Sequence, residues 1–306
     1  MIDRIKRFLK FHFDLFRCRT PEVFGFSSFV WGNVAPLTDV EIPKIIWIYW
    51  DDEIIKSKTV LVCIDAIRNM HTEYEVRLLN KYTIDKYIKF DKQVVGNLPL
   101  ANKSDLIRLK LLSKYGGIYL DASTLLLEKL DWILELNSIN GTDAVAYYTD
   151  ENTKDMNYPV IETWLLASIP NSKFINDWLI EYEKCLSSSN PNEYYKDSNL
   201  FDYKSIPLDV SYYKCYFSAQ TVIRRSQNYR ISLICADTDA FLYSLAISYK
   251  WSNIALAEIL LLNDVNATLP RVVKIINGSR ITLDHYIDIN NFKRNSLIGR
   301  LIDNRS

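Results

Sequence analysis

The sequence predicts an α/β protein with additional helices at both ends. Patterns typical of strands and of helices alternate along the chain as far as Asp121, which is the rhythm of βαβ units in an α/β sheet. Residues 42–50 form a run of β-branched and aromatic side chains, and residues 101–124 combine a helical apolar pattern, two glycines and a short apolar run. The chain has 306 residues, of which 48% are hydrophobic, and this length is sufficient to bury a full core.

The elements follow one another in a regular order. We expect residues 42–50 to form the first buried strand of a parallel sheet, because a proline opens the run and two aspartates close it. Before the glycine pair the pattern predicts a helix, a strand and a short helix at residues 57–70, 74–79 and 83–90. After it the pattern predicts two strands and a helix at residues 143–148, 161–168 and 171–186.

A polar loop divides the chain. Residues 187–192 read Ser-Ser-Ser-Asn-Pro-Asn, which is the clearest loop signal in the sequence. We therefore expect a basic amphipathic segment at residues 1–40, an α/β region at residues 41–186 and a more helical region at residues 187–306. The last region is expected to pack with the α/β region as one unit.

The distribution of charge excludes some classes of partner. The 37 basic residues balance the 37 acidic ones, so no overall field attracts nucleic acid. Residues 1–20 are locally basic with apolar side chains at helical spacing, and such a helix either lies on an anionic membrane or packs on the domain. Residues 291–302 show the same alternation.

The sequence also bears on the compartment of the protein. No apolar run is long enough to span a bilayer, and no signal peptide is evident. The five cysteines are scattered without a paired motif, which suits a reducing compartment. We therefore expect a cytoplasmic protein, with peripheral attachment to the inner face of the cell membrane if the basic helix binds lipid.

The predicted helix, glycine pair and strand before the middle of the chain carry the strongest functional signal. Asp105 and Arg108 are three residues apart, so they are neighbours on the free polar edge of a helix whose leucines supply its buried face. Gly116 and Gly117 stand where a helix end favours a left-handed residue, and Asp121 falls at the carboxyl end of the strand. Ligands of open α/β sheets bind at that edge, where an aspartate can meet a metal ion that bridges a diphosphate. The simpler alternative is a surface ion pair between Asp105 and Arg108, with Asp121 in a turn.

Four motifs carry a resemblance to a known family: Ile42-Pro43-Lys44-Ile45-Ile46-Trp47, Ser104-Asp105 with Arg108, Gly116-Gly117-Ile118-Tyr119-Leu120-Asp121, and Glu162-Thr163-Trp164. The chain resembles bacterial capsular polysaccharide glycosyltransferases related to the DXD-containing sugar-transferase family, and more remotely the glucosylating toxins. The resemblance covers about residues 42–180. It implies a GT-A fold, with a Rossmann-like sheet that binds a nucleotide sugar at residues 41–186 and an acceptor side at residues 187–306.

The resemblance also implies roles for particular residues. Asp105 and Arg108 would hold the donor sugar and its phosphates, and Asp121 would serve a metal ion and the ribose. An aromatic side chain from the first strand would stack on the base. The donor site would include these residues: Trp47, Tyr49, Trp50, Ser104, Gly116, Gly117 and Ser123.

The resemblance implies Mn²⁺ or Mg²⁺ as a cofactor, although one ligand of the family motif differs here. Ser123 stands where a DXD motif has its second aspartate, and a hydroxyl is a weaker ligand for these cations than a carboxylate. We expect the metal to be held by Asp121, Ser123 and a residue late in the chain. His285 is the candidate for that position, with Asp284 and Asp288 as rivals.

The resemblance favours a retaining glycosyltransferase that moves a sugar from a nucleotide-sugar donor, preferably a UDP-sugar, to a saccharide acceptor on a lipid carrier. The candidate catalytic residues are Asp105, Arg108, Asp121 and Glu162. Glu162, beside Trp164, is placed to grip a sugar, and Gln220 and Arg224 are candidates for the acceptor cleft. Two alternatives stay open: a nucleotide- or sugar-binding protein that has lost turnover, and a glycoside hydrolase that pairs Asp150 with Glu162.

Overall fold

A mixed sheet of seven strands and a short two-stranded ladder organise the chain. This computed structural model describes residues 25–90, 98–197, 199, 201–245, 250–263 and 269–303. The strands, numbered β1 to β9 in chain order, are Ser28–Trp31, Ile45–Tyr49, Glu75–Leu79, Gly117–Asp121, Thr124–Leu126, Ala144–Thr149, Val160–Ser168, Ile231–Cys235 and Val272–Lys274. The basic helix predicted at residues 1–20 lies outside the described residues.

The order of strands in the large sheet is β1-β8-β6-β7-β4-β2-β3. Strand β2 is parallel to both of its neighbours, β3 and β4, and Tyr49 lies opposite Asp121. Strand β7 is antiparallel to β4. The carboxyl ends of β2 and β4 therefore meet the amino end of β7 at one edge, the edge at which α/β sheets bind ligands.

Helices cover both faces of this sheet. Within the described ranges the α-helices, numbered α1 to α9, are Lys58–Met70, Leu100–Tyr115, Asp131–Asn140, Lys173–Leu186, Lys214–Arg225, Leu242–Leu245, Asn253–Leu261, Asn277–Asp288 and Leu297–Asp303. Helices α2, α4 and α5 pack on one face, around Trp47 and Tyr119. Helices α1 and α3 pack on the other, around Ile48 and Leu120, because successive side chains of a strand point to opposite faces.

Most of the predicted elements are confirmed. The strands and helices predicted at residues 42–50, 57–70, 74–79, 143–148, 161–168 and 171–186 are all present, with small differences at their ends. The short helix predicted at residues 83–90 is instead a single 3₁₀ turn at Ile84–Lys86. Hydrogen bonds between side chains and the nearby backbone explain the turn. Thr83 Oγ1 accepts from the backbone N–H of Asn80 at 2.9 Å, and Asn80 Oδ1 accepts from the backbone N–H of Thr83 at 3.1 Å.

A third layer lies beside the sheet. Helices α7, α8 and α9 pack with the ladder of β5 and β9 around a separate apolar cluster. Leu297 and Ile298 of α9 are buried in this cluster. The apolar side chains of residues 291–302 therefore pack on the protein. The expectation that this segment faces a membrane is wrong for Leu297 and Ile298.

The large sheet draws on all three predicted segments. Strand β1 comes from residues 1–40 and pairs with β8, which comes from residues 187–306. Strand β8 in turn is parallel to β6 of the central region. The boundaries at residues 40 and 186 therefore do not divide the sheet. Among the described residues, no helix has the length and apolar character needed to cross a membrane.

Candidate active site

A cleft of about 860 Å³ opens at the edge where β2, β4 and β7 converge. This volume lies within the roughly 300–1,000 Å³ that is usual for small-molecule sites. Side chains of α2 and β4 form its base, residues at the start of α5 form one side, and the connection from β9 to α8 forms the other. The sheet thus places the predicted motifs and distant parts of the chain around one cavity.

Arg108 lies at the base of the cleft and binds several side chains at once. Its Nη1 donates to Asp105 Oδ1 at 2.6 Å, and its Nη2 donates to Asp121 Oδ1 at 2.8 Å. It also donates to Thr163 Oγ1 and, at 3.2 Å, to Ser104 Oγ. The predicted free polar edge of α2 is wrong, because Asp105 and Arg108 are both buried between the helix and the sheet.

Lys274 completes the base of the cleft. It is the last residue of β9, and its Nζ donates to Asp121 Oδ2 at 2.6 Å. Each oxygen of Asp121 therefore accepts from a different cation. We refer to Asp105, Arg108, Asp121 and Lys274 as the charged cluster. Lys274 is not among the residues predicted from the sequence, although a lysine within the apolar run Val-Val-Lys-Ile-Ile is a signal of a buried charge.

Burial and neighbouring charge set the protonation of the charged cluster. Burial raises the pKa of Asp105 to about 6, against the opposing effect of Arg108. Burial also raises the pKa of Asp121, but the charges of Lys274 and Arg108 outweigh it and hold that pKa below its ordinary value. Although burial opposes it, the carboxylates of Asp121 and Asp105 raise the pKa of Arg108. Asp121 is therefore a carboxylate beside the charged guanidinium of Arg108, and Asp105 ionises as the pH rises past about 6.

Glu162 lies on β7 at the side of the cleft nearest α5. Its Oε2 accepts from the hydroxyl of Tyr216 at 2.7 Å. Burial raises the pKa of Glu162 to about 7, while the Tyr216 hydrogen bond and the charge of Lys274 lower it. This carboxyl group can therefore change its protonation near neutral pH.

Three tyrosines beside Glu162 form what we call the tyrosine patch: Tyr212, Tyr213 and Tyr216. The ring of Tyr213 packs edge to face with both others, at centroid distances of 4.8 Å and 5.1 Å. Tyr212 is 57% exposed and lines the cleft. An exposed ring in a cleft that also contains a carboxylate can contact a sugar face while the carboxylate binds its hydroxyl groups. The patch is not among the sites predicted from the sequence, although three tyrosines within the five residues 212–216 are a signal.

Only part of the aromatic run of β2 reaches the cleft. Tyr49 and Trp50 line it, and the Arg280 guanidinium lies 5.4 Å from the centre of the Trp50 ring. Trp47 is fully buried, and its Nε1 donates to the carbonyl oxygen of Gly116 at 2.8 Å. The expected place of Trp47 in the donor site is therefore wrong, whereas Trp50 lines the cleft.

The glycine pair is structural. Gly116 and Gly117 lie at the amino end of β4, opposite the cleft, with φ angles of 63° and 92°. A Cβ atom at Gly116 would lie 2.6 Å from the Pro170 nitrogen, and one at Gly117 would lie 2.6 Å from the Ile45 carbonyl oxygen. Their expected role in donor binding is wrong, because the tight turn and close packing alone require glycine here.

The residues expected to hold a metal ion do not assemble into a ligand set. The Ser123 hydroxyl lines the cleft but donates to the Ile275 carbonyl oxygen at 2.9 Å. His285 is exposed on α8 and packs edge to face on Tyr286, outside the cleft lining. Across the described ranges, no group of three histidine, cysteine, aspartate or glutamate residues could hold a metal ion. With both Asp121 oxygens bound to protein cations, this donor set does not fit Mn²⁺ or Mg²⁺.

The two rival aspartates also have other partners. Asp284 Oδ1 accepts from the Ser57 hydroxyl at 3.0 Å and from the Thr59 amide at 2.8 Å, at the start of α1. Asp288 pairs with Lys58 at 2.8 Å. Both residues therefore connect α8 to α1, and neither lines the cleft.

Three further candidates lie outside the cleft lining. Gln220 is buried and its Nε2 donates to the Pro159 carbonyl oxygen at 2.7 Å, so it does not face an acceptor. The Arg224 guanidinium packs 4.1 Å from the centre of the Tyr158 ring. Asp150 accepts from the Cys235 thiol at 3.4 Å. The cleft therefore does not contain the pair of Asp150 and Glu162 that a hydrolase would need.

Comparisons with known proteins place these features in a wider context. No curated protein matches the chain in sequence. Among solved structures, the chain is similar to the PaToxG glycosyltransferase, with a TM-score of 0.35 and 15% identity over 72% of this chain and 85% of that one. It is also similar to a glycosyltransferase involved in the glycosylation of the major capsid of PBCV-1, with a TM-score of 0.29 and 11% identity over 62% of this chain and 93% of that one.

A family model gives the more direct assignment. The model described as "Capsular polysaccharide synthesis protein" matches residues 33–204, more than half of the chain. The matched range contains Asp105, Arg108, Asp121 and Glu162, whereas Lys274 lies beyond it. The chain belongs to the capsular polysaccharide synthesis protein family.

Proposed function

We propose that this protein is a retaining glycosyltransferase, which moves a sugar from a nucleotide-sugar donor to a saccharide acceptor in the synthesis of a capsular or surface polysaccharide. The observation that carries the proposal is the position of Arg108 and Lys274. Both cations lie at the base of a cleft at the carboxyl ends of parallel strands. Cationic hydrogen-bond donors that are fixed at such a position can stabilise the charge that develops on a departing diphosphate.

The donor would lie across the β2 and β4 edge. Trp50 offers a ring for the base, and Arg108 with Lys274 faces the diphosphate. Asp105 and Ser104 line the cleft beside Arg108 and can bind sugar hydroxyl groups. A GT-A fold and a UDP-sugar donor follow from the family resemblance, and we include both in the proposal.

The acceptor would lie on the side of the tyrosine patch. An aromatic ring such as that of Tyr212 can pack against a sugar face, and Glu162 can accept a hydrogen bond from a hydroxyl group. Replacing Tyr212 with alanine should raise the acceptor KM about tenfold with little change in the donor KM. Tyr212→Phe keeps the ring and serves as the matched control.

The reaction requires no protein nucleophile. The bond between the anomeric carbon and the diphosphate oxygen breaks, and a bond from the same carbon to the acceptor oxygen forms on the same face. The acceptor proton passes to the departing diphosphate. The protein holds the two substrates together and balances the charge that develops on the leaving group.

The family resemblance adds two further elements to the proposal. A lipid carrier would hold the acceptor, and residues 1–20 would attach the protein peripherally to the inner face of the cell membrane. A basic amphipathic helix suits such a surface. Deleting residues 1–20 should reduce co-sedimentation with anionic vesicles, and equal co-sedimentation of both proteins would contradict the attachment.

The test is nucleotide release by the purified protein from a panel of UDP- and GDP-sugars, with and without saccharide acceptors. Release from one donor, with the product retaining the donor's anomeric configuration by NMR, would support the proposal. Binding of a nucleotide without any release would favour the alternative of a binding protein that has lost turnover. Cleavage of glycosides without a nucleotide donor would favour a hydrolase.

A further inference from the structure

Asp121 is the carboxylate on which the family resemblance places a divalent cation, yet protein cations already bind both of its oxygens. Arg108 Nη2 lies 2.8 Å from Oδ1, and Lys274 Nζ lies 2.6 Å from Oδ2. Each oxygen keeps a further lone pair, but a Mg²⁺ or Mn²⁺ ion bound there would lie beside a guanidinium and an ammonium. Like charges at such distances repel each other.

Lys274 is held in place by the backbone. In the ladder of β5 and β9 it pairs with Thr124, and its own amide donates to the Ala240 carbonyl oxygen at 3.0 Å. Its side chain is only 10% exposed, and its ammonium lies 5.7 Å from the centre of the Trp164 ring. The strand therefore directs the lysine stem into the base of the cleft, and the ammonium is positioned before any ligand binds.

The remaining cations of the cleft lie close by. Arg108 is fixed by Asp105 as well as by Asp121. Arg280 of α8 lines the same cleft and donates to Asn277 Oδ1 at 2.6 Å. An arginine fork and a lysine ammonium are the two side chains that bind phosphate oxygens most strongly in proteins.

We infer that Lys274 and Arg108 together form the diphosphate-binding site and take the place of a divalent cation, so that donor binding and sugar transfer need no metal. The inference rests on the proposed function. Asp121 then acts as a positioning residue, because it orients both cations toward the leaving group. As the bond to the sugar breaks, the ammonium and the guanidinium balance the added charge on the diphosphate.

The test measures binding by calorimetry, with UDP, GDP and inorganic pyrophosphate as probes. Each titration is carried out in excess EDTA and again in excess Mn²⁺ or Mg²⁺. We expect a nucleoside diphosphate to bind in EDTA with a Kd within about twofold of that in metal. Lys274→Met should weaken binding about 30-fold through the loss of a charge-assisted hydrogen bond, and Lys274→Arg should retain most of it.

The control variant is Lys129→Met. Lys129 is exposed, pairs with Glu73 and does not line the cleft, so its loss should leave all three affinities unchanged. Circular dichroism and thermal unfolding report whether Lys274→Met folds. If it does not, Lys274→Arg and the metal dependence of the natural chain decide the question.

The outcomes separate the inference from the proposed function. Binding of a nucleoside diphosphate only when metal is present would overturn the inference and leave the glycosyltransferase proposal intact. Lysine-dependent binding of pyrophosphate in EDTA, without binding of either nucleotide, would support the anion site and contradict a UDP or GDP donor. Failure of every diphosphate to bind under any condition would overturn both.

Discussion

The ammonium of Lys274 lies 2.6 Å from Oδ2 of Asp121, although the two residues are 153 positions apart in the chain. The short ladder of β5 and β9 explains this contact. Strand β5 begins at Thr124, three residues after Asp121, and Thr124 is paired with Lys274. The ladder thus fixes a cation from the last quarter of the chain against the carboxylate that ends β4.

The first prediction concerns Asp121→Asn. The amide keeps the shape of the side chain but removes the charge that orients Arg108 and Lys274. We expect nucleotide release to fall on the order of 10²-fold, because the two cations lose the anion that positions them toward the leaving group. Steady-state rates with the best donor of the panel measure the effect.

The matched control for that substitution is Asp177→Asn. Asp177 lies on α4 and binds Lys173 and Tyr229 away from the cleft. This variant should turn over at the natural rate. A normal rate for Asp121→Asn, or an equal loss in the control, would contradict the role given to Asp121.

A second prediction separates two tryptophans that are three residues apart. Trp47→Phe removes the buried donor to the Gly116 carbonyl oxygen, which should lower the free energy of unfolding by about 1–3 kcal/mol. Its donor KM should stay unchanged. Trp50→Ala should raise the donor KM about tenfold through loss of stacking on the base.

Urea unfolding and donor kinetics of the two variants check that prediction. Each tryptophan variant serves as the control for the other, because both substitutions remove an indole ring from the same short region of the chain. A donor defect in Trp47→Phe at full stability would show that the buried ring contributes to the site after all.

The sequence was sufficient to predict the elements around the base of the cleft. Three elements follow from local patterns of apolar residues and from a glycine turn, and all three are present: β2, α2 and β4 with Asp121 at its end. The sequence could not distinguish Trp47 from Trp50. Strand β2 lies between two parallel neighbours and is covered on both faces, so only its last residue, Tyr49, and the residue after it, Trp50, reach the cleft.

Long-range contacts set the limit of the sequence prediction. The helical pattern predicts Arg108 at a helix surface, yet its guanidinium is buried against β7, which is more than 50 residues away in the chain. Lys274 and the tyrosine patch come from elements that join the cleft only through tertiary packing. His285 is exposed on α8, the helix next to the cleft, but does not line the cleft. The sequence around a single histidine does not indicate which side of a helix faces a site.

A third prediction concerns the pH dependence of transfer. Burial raises the pKa of Glu162 to about 7, so its carboxylate form increases as the pH passes through that value. If the carboxylate accepts a hydrogen bond from the acceptor, kcat/KM for the acceptor should rise between about pH 6 and about pH 8. Glu162→Gln should abolish this rise and lower the plateau about tenfold.

A second variant tests the sign of the Glu162 effect. Tyr216 donates to Glu162 Oε2 and thereby lowers the pKa of that carboxyl group. Tyr216→Phe should therefore shift the rise in kcat/KM to higher pH. A shift to lower pH, or an unchanged profile in Glu162→Gln, would show that another group titrates.

The last prediction concerns stability away from the cleft. Glu258 on α7 is 4% exposed, and its Oε2 has no hydrogen-bond partner among the described residues. Burial raises its pKa from the ordinary value of 4.5 to about 8. The folded protein therefore holds this proton more tightly than the unfolded chain does, so the free energy of unfolding should fall as the pH rises from about 4.5 to about 8.

Glu258→Gln removes this titration. Its free energy of unfolding should match that of the natural chain near the lower end of that range and exceed it at pH values above the upper end, because each unit of raised pKa corresponds to about 1.4 kcal/mol. Urea unfolding at the lowest and the highest pH of this range measures the difference between the two proteins. Glu135→Gln, on the exposed face of α3, is the control. Parallel pH profiles for the natural chain and Glu258→Gln would mean that Glu258 is ionised in the folded protein at neutral pH. A difference that grows with pH, and is absent in the control, would identify Glu258 as a buried proton-holding group.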